Sequence, residues 1–529
     1  MIGPTAGRSL PSRARPDARA ADDVPSARRG DIRTLVRGGA LNTVGIVANA
    51  LLSFGFGVVI ARALGADGAG AFFVTLAAFA ILQSVAQMGA DTGAMRTIAR
   101  YLALERRRDV RTVVRVGLLP ALLLGSALAV VLYWMAPTLA ETIVPDRPDE
   151  ATTYLRILAP VLPIAAGSAI LLGATRGLGV MLPYVVIDRT GRSGLRLALA
   201  LLVAALGLGG AAFLVAWIVP VAIGFVAAAV WLLALVSRAE RAAPSEAHGA
   251  ASGAVAREFW SFSVYRGVAA LFRVGLLWAG LLLVGALGSA AEAGAYSAAT
   301  RIVTAGAFAL EAVLVVMGPQ ISALLALDQR ERTGLVFQTA TAWLTALSFP
   351  FYITVALFAP LALGIFGEEF TAATPALVIL SLAMLLDMAT GPVTTVLLMA
   401  GRSSWFLLNV IATLAVNVVA NILLIPPFGV TGAAVAWAVS IVVQNALPLA
   451  QVWLSLGLHP FSRSLAVAAL GPALCYGALG LVMVLLLEPT APVLVAFVAV
   501  ATLLYSAFGV RFREPLKLAD LLGSFRRSE

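Results

Sequence analysis

Phe259 to Leu287 reads FWSFSVYRGVAALFRVGLLWAGLLLVGAL. A helix needs about 20 apolar residues to cross the hydrocarbon core of a bilayer, and this run is longer than that. Arg266 and Arg273 nevertheless stand inside it. They lie two helical turns apart, on one stripe with Ser263 and Ala270, so that face is small and cationic. Leu271, Leu276, Leu277, Leu281, Leu282 and Leu283 cover much of the rest. A central Arg costs about 2.5–3.5 kcal/mol on the insertion scale, and each Leu returns only about 0.5. With both arginines on lipid, the leucines would barely offset them. The stretch therefore predicts a membrane span whose cationic face turns inward, toward a wet cavity shared with other helices. Arg273 lies about 18 Å of helix before Gly285, near mid-membrane, too deep for its stem to reach water. Arg266 is nearer the boundary, where snorkelling is the equal alternative.

The composition extends this reading to the whole chain. Of 529 residues, 60% are hydrophobic and 12% charged, about half the charged share of a soluble domain. The mean hydropathy is +0.95. The net charge of +10 comes almost wholly from arginine, since Lys517 is the single lysine, and its placement follows loops rather than a nucleic-acid-binding face. Cys475 is the only cysteine and His248 and His459 the only histidines, which excludes an internal disulfide and a Cys/His metal cluster.

Fourteen apolar runs of about 20 residues lie between residues 38 and 510, the fifth near 191–209. The loops between them sort by charge. One set holds Arg28–Arg37, Arg96–Arg115, Arg176–Arg192, Arg238–Arg257, Arg330, Arg332, Arg402, Arg463 and Arg511–Arg527; the other holds Glu141, Asp146, Asp149, Glu150, Glu292, Glu368, Glu369 and Glu488. The positive-inside rule places the first set, and with it both termini, in the cytoplasm.

An internal repeat divides the chain. ALGADGAGAF at Ala63–Phe72 returns as ALGSAAEAGAY at Ala286–Tyr296, LRIL at Leu155–Leu158 as LVIL at Leu377–Leu380, and GRS at Gly191–Ser193 as GRS at Gly401–Ser403. All three matches fall at offsets of about 210–224 residues, in the same order. The expected architecture is an all-α polytopic membrane protein of about 14 transmembrane helices. Two six-helix lobes are related by a parallel repeat, and two C-terminal helices are added. The expected boundaries are a disordered cytoplasmic tail over 1–30, a first lobe over 31–237, a cytoplasmic linker over 238–258 and a second lobe over 259–456. The two added helices occupy 457–510 and a cytoplasmic tail 511–529.

Several stretches carry a family likeness: IARALGADGAGAF at Ile60–Phe72, MGADTGAMRTIARY at Met88–Tyr101, FGEEF at Phe366–Phe370, MAGRSS at Met399–Ser404 and NVVANILLIPPFGVTGAAVAWAVS at Asn417–Ser440. Over about residues 33–455 the chain resembles the polysaccharide-export branch of the multidrug/oligosaccharidyl-lipid/polysaccharide exporter superfamily, which includes the oligosaccharide flippases. The resemblance implies two lobes around a central cavity that opens alternately to each side of a bacterial inner membrane. It implies movement of an undecaprenyl-diphosphate-linked oligosaccharide from the inner to the outer leaflet, with a polysaccharide polymerase and glycosyltransferases as candidate partners. A lipid II flippase of the same superfamily is the close alternative. A multidrug exporter fits less well, because arginines in the cavity would repel apolar cations. A membrane glycosyltransferase would need a large outer loop with catalytic groups, and the longest here is about Ala136–Ala151.

The residues that match this task are few. Arg273, Arg266 and Arg301 are candidates for holding the diphosphate, because guanidinium gives paired donors and stays charged. Gln83 and Gln87, at a four-residue step, are candidate cavity lining. Asp387, Glu311 and Asp91 are candidates for coupling to a proton or sodium gradient; counter-ion roles toward neighbouring arginines are the alternative. No cofactor and no catalytic residue is expected. The stripe Asn409, Thr413, Asn417 and Asn421 reads first as helix–helix hydrogen bonding.

Overall fold

The computed structural model describes residues 26–241, 251–307, 317–318 and 320–512. Among these, all regular structure is helical. Nine helices among the described residues are long and apolar enough to cross a membrane, or up to ten when Pro148–Leu158 and Val161–Gly177, bent by 47°, count as one span.

Helix α1, Ser26–Gln87, has 62 residues, more than twice what a bilayer needs. Gly65 breaks it with φ 69° and ψ 179°, a conformation that only glycine adopts cheaply. The first lobe continues with α2 (Ala90–Ala103), α3 (Val110–Ile143), α4 (Pro148–Leu158), α5 (Val161–Gly177), α6 (Arg192–Ala205) and α7 (Gly210–Arg241). The second runs through α8 (Ser252–Leu287), α9 (Ala290–Ala305), α10 (Arg330–Leu357), α11 (Thr374–Thr390), α12 (Val393–Met399) and α13 (Ser403–Leu456). Helix α13, with 54 residues, is broken at Gly429 as α1 is at Gly65. Last come α14 (Arg463–Pro472), α15 (Leu479–Leu486) and α16 (Ala491–Arg511); Tyr476, in the π-helical turn between α14 and α15, and Phe497 of α16 pack on Phe358 at the end of α10.

The helices run further than the sequence boundaries at three places. Helix α1 starts at Ser26, within the expected N-terminal tail, and α7 and α8 enter both ends of the expected linker. Residues 1–25, 242–250 and 513–529 lie outside the described residues.

One apolar core spans both lobes, from Phe72, Phe79 and Phe213 to Tyr352, Phe366 and Phe370. At the end that carries the acidic loops the repeat closes on itself. A Cβ on Gly70 would lie 1.7 Å from the carbonyl oxygen of Ala290, and one on Gly294 would lie 2.1 Å from that of Ala66. Gly70 and Gly294, like Ala66 and Ala290, hold equivalent places in the repeated motif. The contact is therefore reciprocal, as a two-fold relation between the lobes requires. A capping box starts α9: Ser289 accepts from the Glu292 amide, and Glu292 accepts from the Ser289 amide.

At the arginine-rich end, the first turns of α8 lean on the first lobe. Glu258 accepts from Arg100 at 2.7 Å and from the Tyr101 hydroxyl at 2.9 Å. Trp260 Nε1 donates to the Val116 carbonyl at 3.2 Å, and Phe259 is fully buried.

Candidate functional site

A cavity of about 740 Å³ opens where α8, α9, α11 and α13 meet. Arg273 reaches it from α8, Arg301 from α9, Asp387 from α11, and Asn417, Trp437 and Gln444 from α13. Tyr296, Ser297, Thr300 and Thr304 add a polar stripe along α9. All these residues belong to the second lobe. The first lobe enters through Arg301, whose guanidinium lies 4.1 Å from the Phe73 ring centroid and donates to the Ser53 carbonyl at 3.5 Å.

The two cations are not spent on ion pairs. No carboxylate lies within 4 Å of Arg273 or Arg301 among the described residues. The Arg301 Nε is buried without a hydrogen-bond partner among them. Arg273 is exposed within the helix assembly. Asp387, instead of pairing with either arginine, accepts from the Asn445 amide at 2.7 Å, and Asn445 accepts from the Thr390 hydroxyl at 2.7 Å. The cavity thus holds two guanidinium groups with unused donors and one carboxylate held by a neutral amide. Such a site suits an anion with several acceptor oxygens.

The other candidates lie elsewhere. The cationic stripe of α8 divides: Ser263 is buried on the first lobe against Gly93, while Arg266 is exposed and lines no part of the cavity. Gln83 and Gln87 are half-buried on α1 and do not line it. Asp91 lies in the first turn of α2, where the Thr92 hydroxyl donates to it; Arg96 stacks 4.2 Å over Phe262 instead of pairing with Asp91. Glu311 falls outside the described residues. The asparagine stripe joins the two halves of α13. Asn409 and Gln451 exchange amide hydrogen bonds at 2.8 and 2.9 Å, and Asn417 donates to Ser440 at 3.0 Å.

Sequence reasoning missed Trp437 and Gln444 in the cavity, and it read the outer-loop acids only as charge markers. Asp146 Oδ2 accepts from the Ala290 amide at 2.8 Å, and Glu369 Oε1 accepts from the Ala66 amide at 2.9 Å. Asp146 lies in the loop after α3 and Glu369 in the 3-10 turn Glu368–Ala373 between α10 and α11, and each caps a helical segment of the other lobe. Arg62 adds a third crossing, donating to the Ile365 carbonyl at 2.8 Å.

The family described as polysaccharide biosynthesis protein matches residues 35–325. The probable low-salt glycan biosynthesis flippase Agl15 of Haloferax volcanii is 25% identical over 193 residues, 36% of this chain and 41% of that one. Stage V sporulation protein B of Bacillus subtilis is 25% identical over 155 residues, 29% of each chain. The chain spans less than half the length of either relative. Among solved structures, the lipid II flippase MurJ in an inward closed conformation matches at TM-score 0.71 and 12% identity, over 89% of this chain and 98% of that one. A MATE-family transporter of the MOP superfamily matches in its inward-facing conformation at TM-score 0.65 and 15% identity, over 80% and 98%. An outward-facing MATE-family structure matches at 0.55 and 16%, over 80% and 96%. The fold is therefore that of the MOP-superfamily transporters.

Proposed function

Because the chain belongs to the polysaccharide biosynthesis protein family, we propose that it moves an undecaprenyl-diphosphate-linked oligosaccharide from the inner to the outer leaflet of a bacterial inner membrane. The observation that carries this reading is the pair Arg273 and Arg301, two unpaired cations in one cavity between transmembrane helices. The diphosphate is anionic and the sugars polar, so both need a wet cationic path through hydrocarbon. Fourteen spans with both termini in the cytoplasm complete the picture, on loop charge. A polysaccharide polymerase and glycosyltransferases are the expected partners. The test is reconstitution: a lipid-linked oligosaccharide placed in one leaflet should become accessible to a glycosidase on the other side of the vesicle. Failure of the glycan to cross, with extrusion of an apolar dye cation instead, would overturn the reading in favour of a multidrug exporter.

Transport then proceeds by alternating access, with the acidic end as the outer side. In this reading the Asp146–Ala290 and Glu369–Ala66 caps and the Gly70–Gly294 contact are the outer gate. Losing a helix cap costs about 1 kcal/mol, roughly fivefold in an opening equilibrium. In a Cys475→Ala background, Thr300→Cys places a thiol on the cavity wall. A membrane-impermeant thiol reagent added outside should label it about 25-fold faster when Asp146→Ala and Glu369→Ala are both present. An unchanged labelling rate would remove these carboxylates from the gate.

Coupling is assigned to Asp387, the carboxylate that shares the cavity with the two arginines. Asp387→Asn keeps an acceptor for Asn445 and removes the titratable charge. The variant is expected to fold and to flip at a rate independent of the proton or sodium gradient. Glu311→Gln is the parallel test. Gradient-dependent flipping at the parental rate in Asp387→Asn would contradict the assignment, and loss of that dependence in Glu311→Gln alone would move it to Glu311.

A further inference from the structure

The cavity tryptophan has a partner in the first lobe. VAW at Val435–Trp437 of α13 repeats VAW at Val215–Trp217 of α7. Trp437 lines the cavity with Arg273 and Arg301. Trp217 carries Arg196 of α6, whose guanidinium lies 4.1 Å from the ring centroid and whose Nε donates to the Trp217 carbonyl at 3.3 Å.

Arg196 is half-buried. The helical path of this span begins with a π-helical segment, Tyr184–Gly191, and continues as α6. Arg196 therefore lies twelve residues into this helical path, at the contact between α6 and α7. One turn earlier, Arg192 is neutralised by Asp188 at 2.7 Å and donates to Ser168 at 3.1 Å. Arg196 has no carboxylate within 4 Å among the described residues, and its two Nη groups make no hydrogen bond there. Ser193, on the same side, donates to Asn49 Oδ1 of α1 at 2.5 Å, and the Asn49 amide protons have no acceptor among the described residues. A half-buried cation with unused donors among apolar helices marks an anion path.

We infer that Arg196 on Trp217 is a second diphosphate-binding station, the first lobe's counterpart of the Arg273–Arg301 cavity. The Nη groups of Arg196 and the amide of Asn49 supply the donors. This rests on the reading that the chain moves a lipid-linked diphosphate. Two stations, one per lobe, let a diphosphate be held from either side of the lobe interface as the lobes rock.

The test is equilibrium dialysis of the purified full-length protein against a fluorescent short-chain prenyl diphosphate. The parent should bind two equivalents per chain, Arg196→Gln and Arg273→Ala one each, and the double variant none. Arg196→Lys keeps the charge without the planar fork and should retain the second equivalent about tenfold more weakly. Two equivalents at parental affinity in Arg196→Gln overturn the inference and leave the proposed function standing. Identical binding by the Gln and Lys variants likewise reduces Arg196 to a packing residue. A parent that binds no diphosphate overturns the proposed function itself.

Discussion

Flipping by the Arg273→Ala variant is expected to fall about 10- to 150-fold, with the amount of folded protein unchanged. A charge-assisted contact contributes about 1.5–3 kcal/mol, which sets that range. Folding should be spared because Arg273 is exposed and pairs with no carboxylate among the described residues, so its removal leaves no orphaned partner. Insertion should even improve, since a mid-membrane charge is lost. Arg273→Lys should retain part of the activity, because the charge survives although the fork does not. Arg266→Ala should be milder, as Arg266 lines no part of the cavity. The check is the initial rate of flipping of a fluorescent lipid-linked glycan in vesicles, normalised to folded protein. A parental rate in well-folded Arg273→Ala would contradict the cationic cavity. Loss of folding would make Arg273 a structural residue.

Gly70→Val and Gly294→Val should each leave little folded protein. A Cβ at either place would overlap a backbone carbonyl, at 1.7 and 2.1 Å, and backbone cannot swing aside as a flexible side chain can. Overpacking a well-filled contact costs about 1–3 kcal/mol when side chains can adjust, and this contact exceeds that case. Each change should therefore destabilise by more than about 3 kcal/mol. Gly209→Ala is the control, since nothing lies within 4 Å of a Cβ there, and it should fall within about 0.5 kcal/mol of the parent. Monodisperse yield and melting temperature in detergent are the measurements. A Gly70→Val protein that melts with the parent would remove this contact from the account of how the lobes meet.

Much of the architecture is legible in the sequence because a bilayer imposes simple rules. Apolar run length gives a membrane-crossing helical bundle, with nine or up to ten helices among the described residues long and apolar enough against the fourteen runs read, and the repeated ALG…GA motif gives two copies of one bundle. What the motif does not give is that its copies touch. Gly70 and Gly294 meet each other's lobe through backbone contacts, and no pattern within either copy specifies a partner about 220 residues away. The site was legible in part for a similar reason. Arg273, Arg301 and Asp387 stand out as charges in apolar runs, and the structure gathers them around one cavity. Helical periodicity placed Arg266 with Arg273, but α8 leaves the second lobe at its arginine-rich end to pack on the first. The stripe therefore faces two environments. Arg196 was hidden by a register effect. Read as beginning near Gly191, its helix puts Arg196 in the second turn; the π-helical turns from Tyr184 put it twelve residues in. The carboxylate caps were beyond reach, since a loop acid shows its charge in the sequence but not the helix end it meets.

If the cationic cavity carries a lipid-linked diphosphate across the bilayer, the charge of the linkage decides what crosses. Two fluorescent prenyl-linked glycans, one joined through a diphosphate and one through a neutral ether, are compared in the same reconstituted vesicles. The diphosphate form should cross well above the protein-free background while the neutral form stays at that background. Equal crossing of both forms would contradict it.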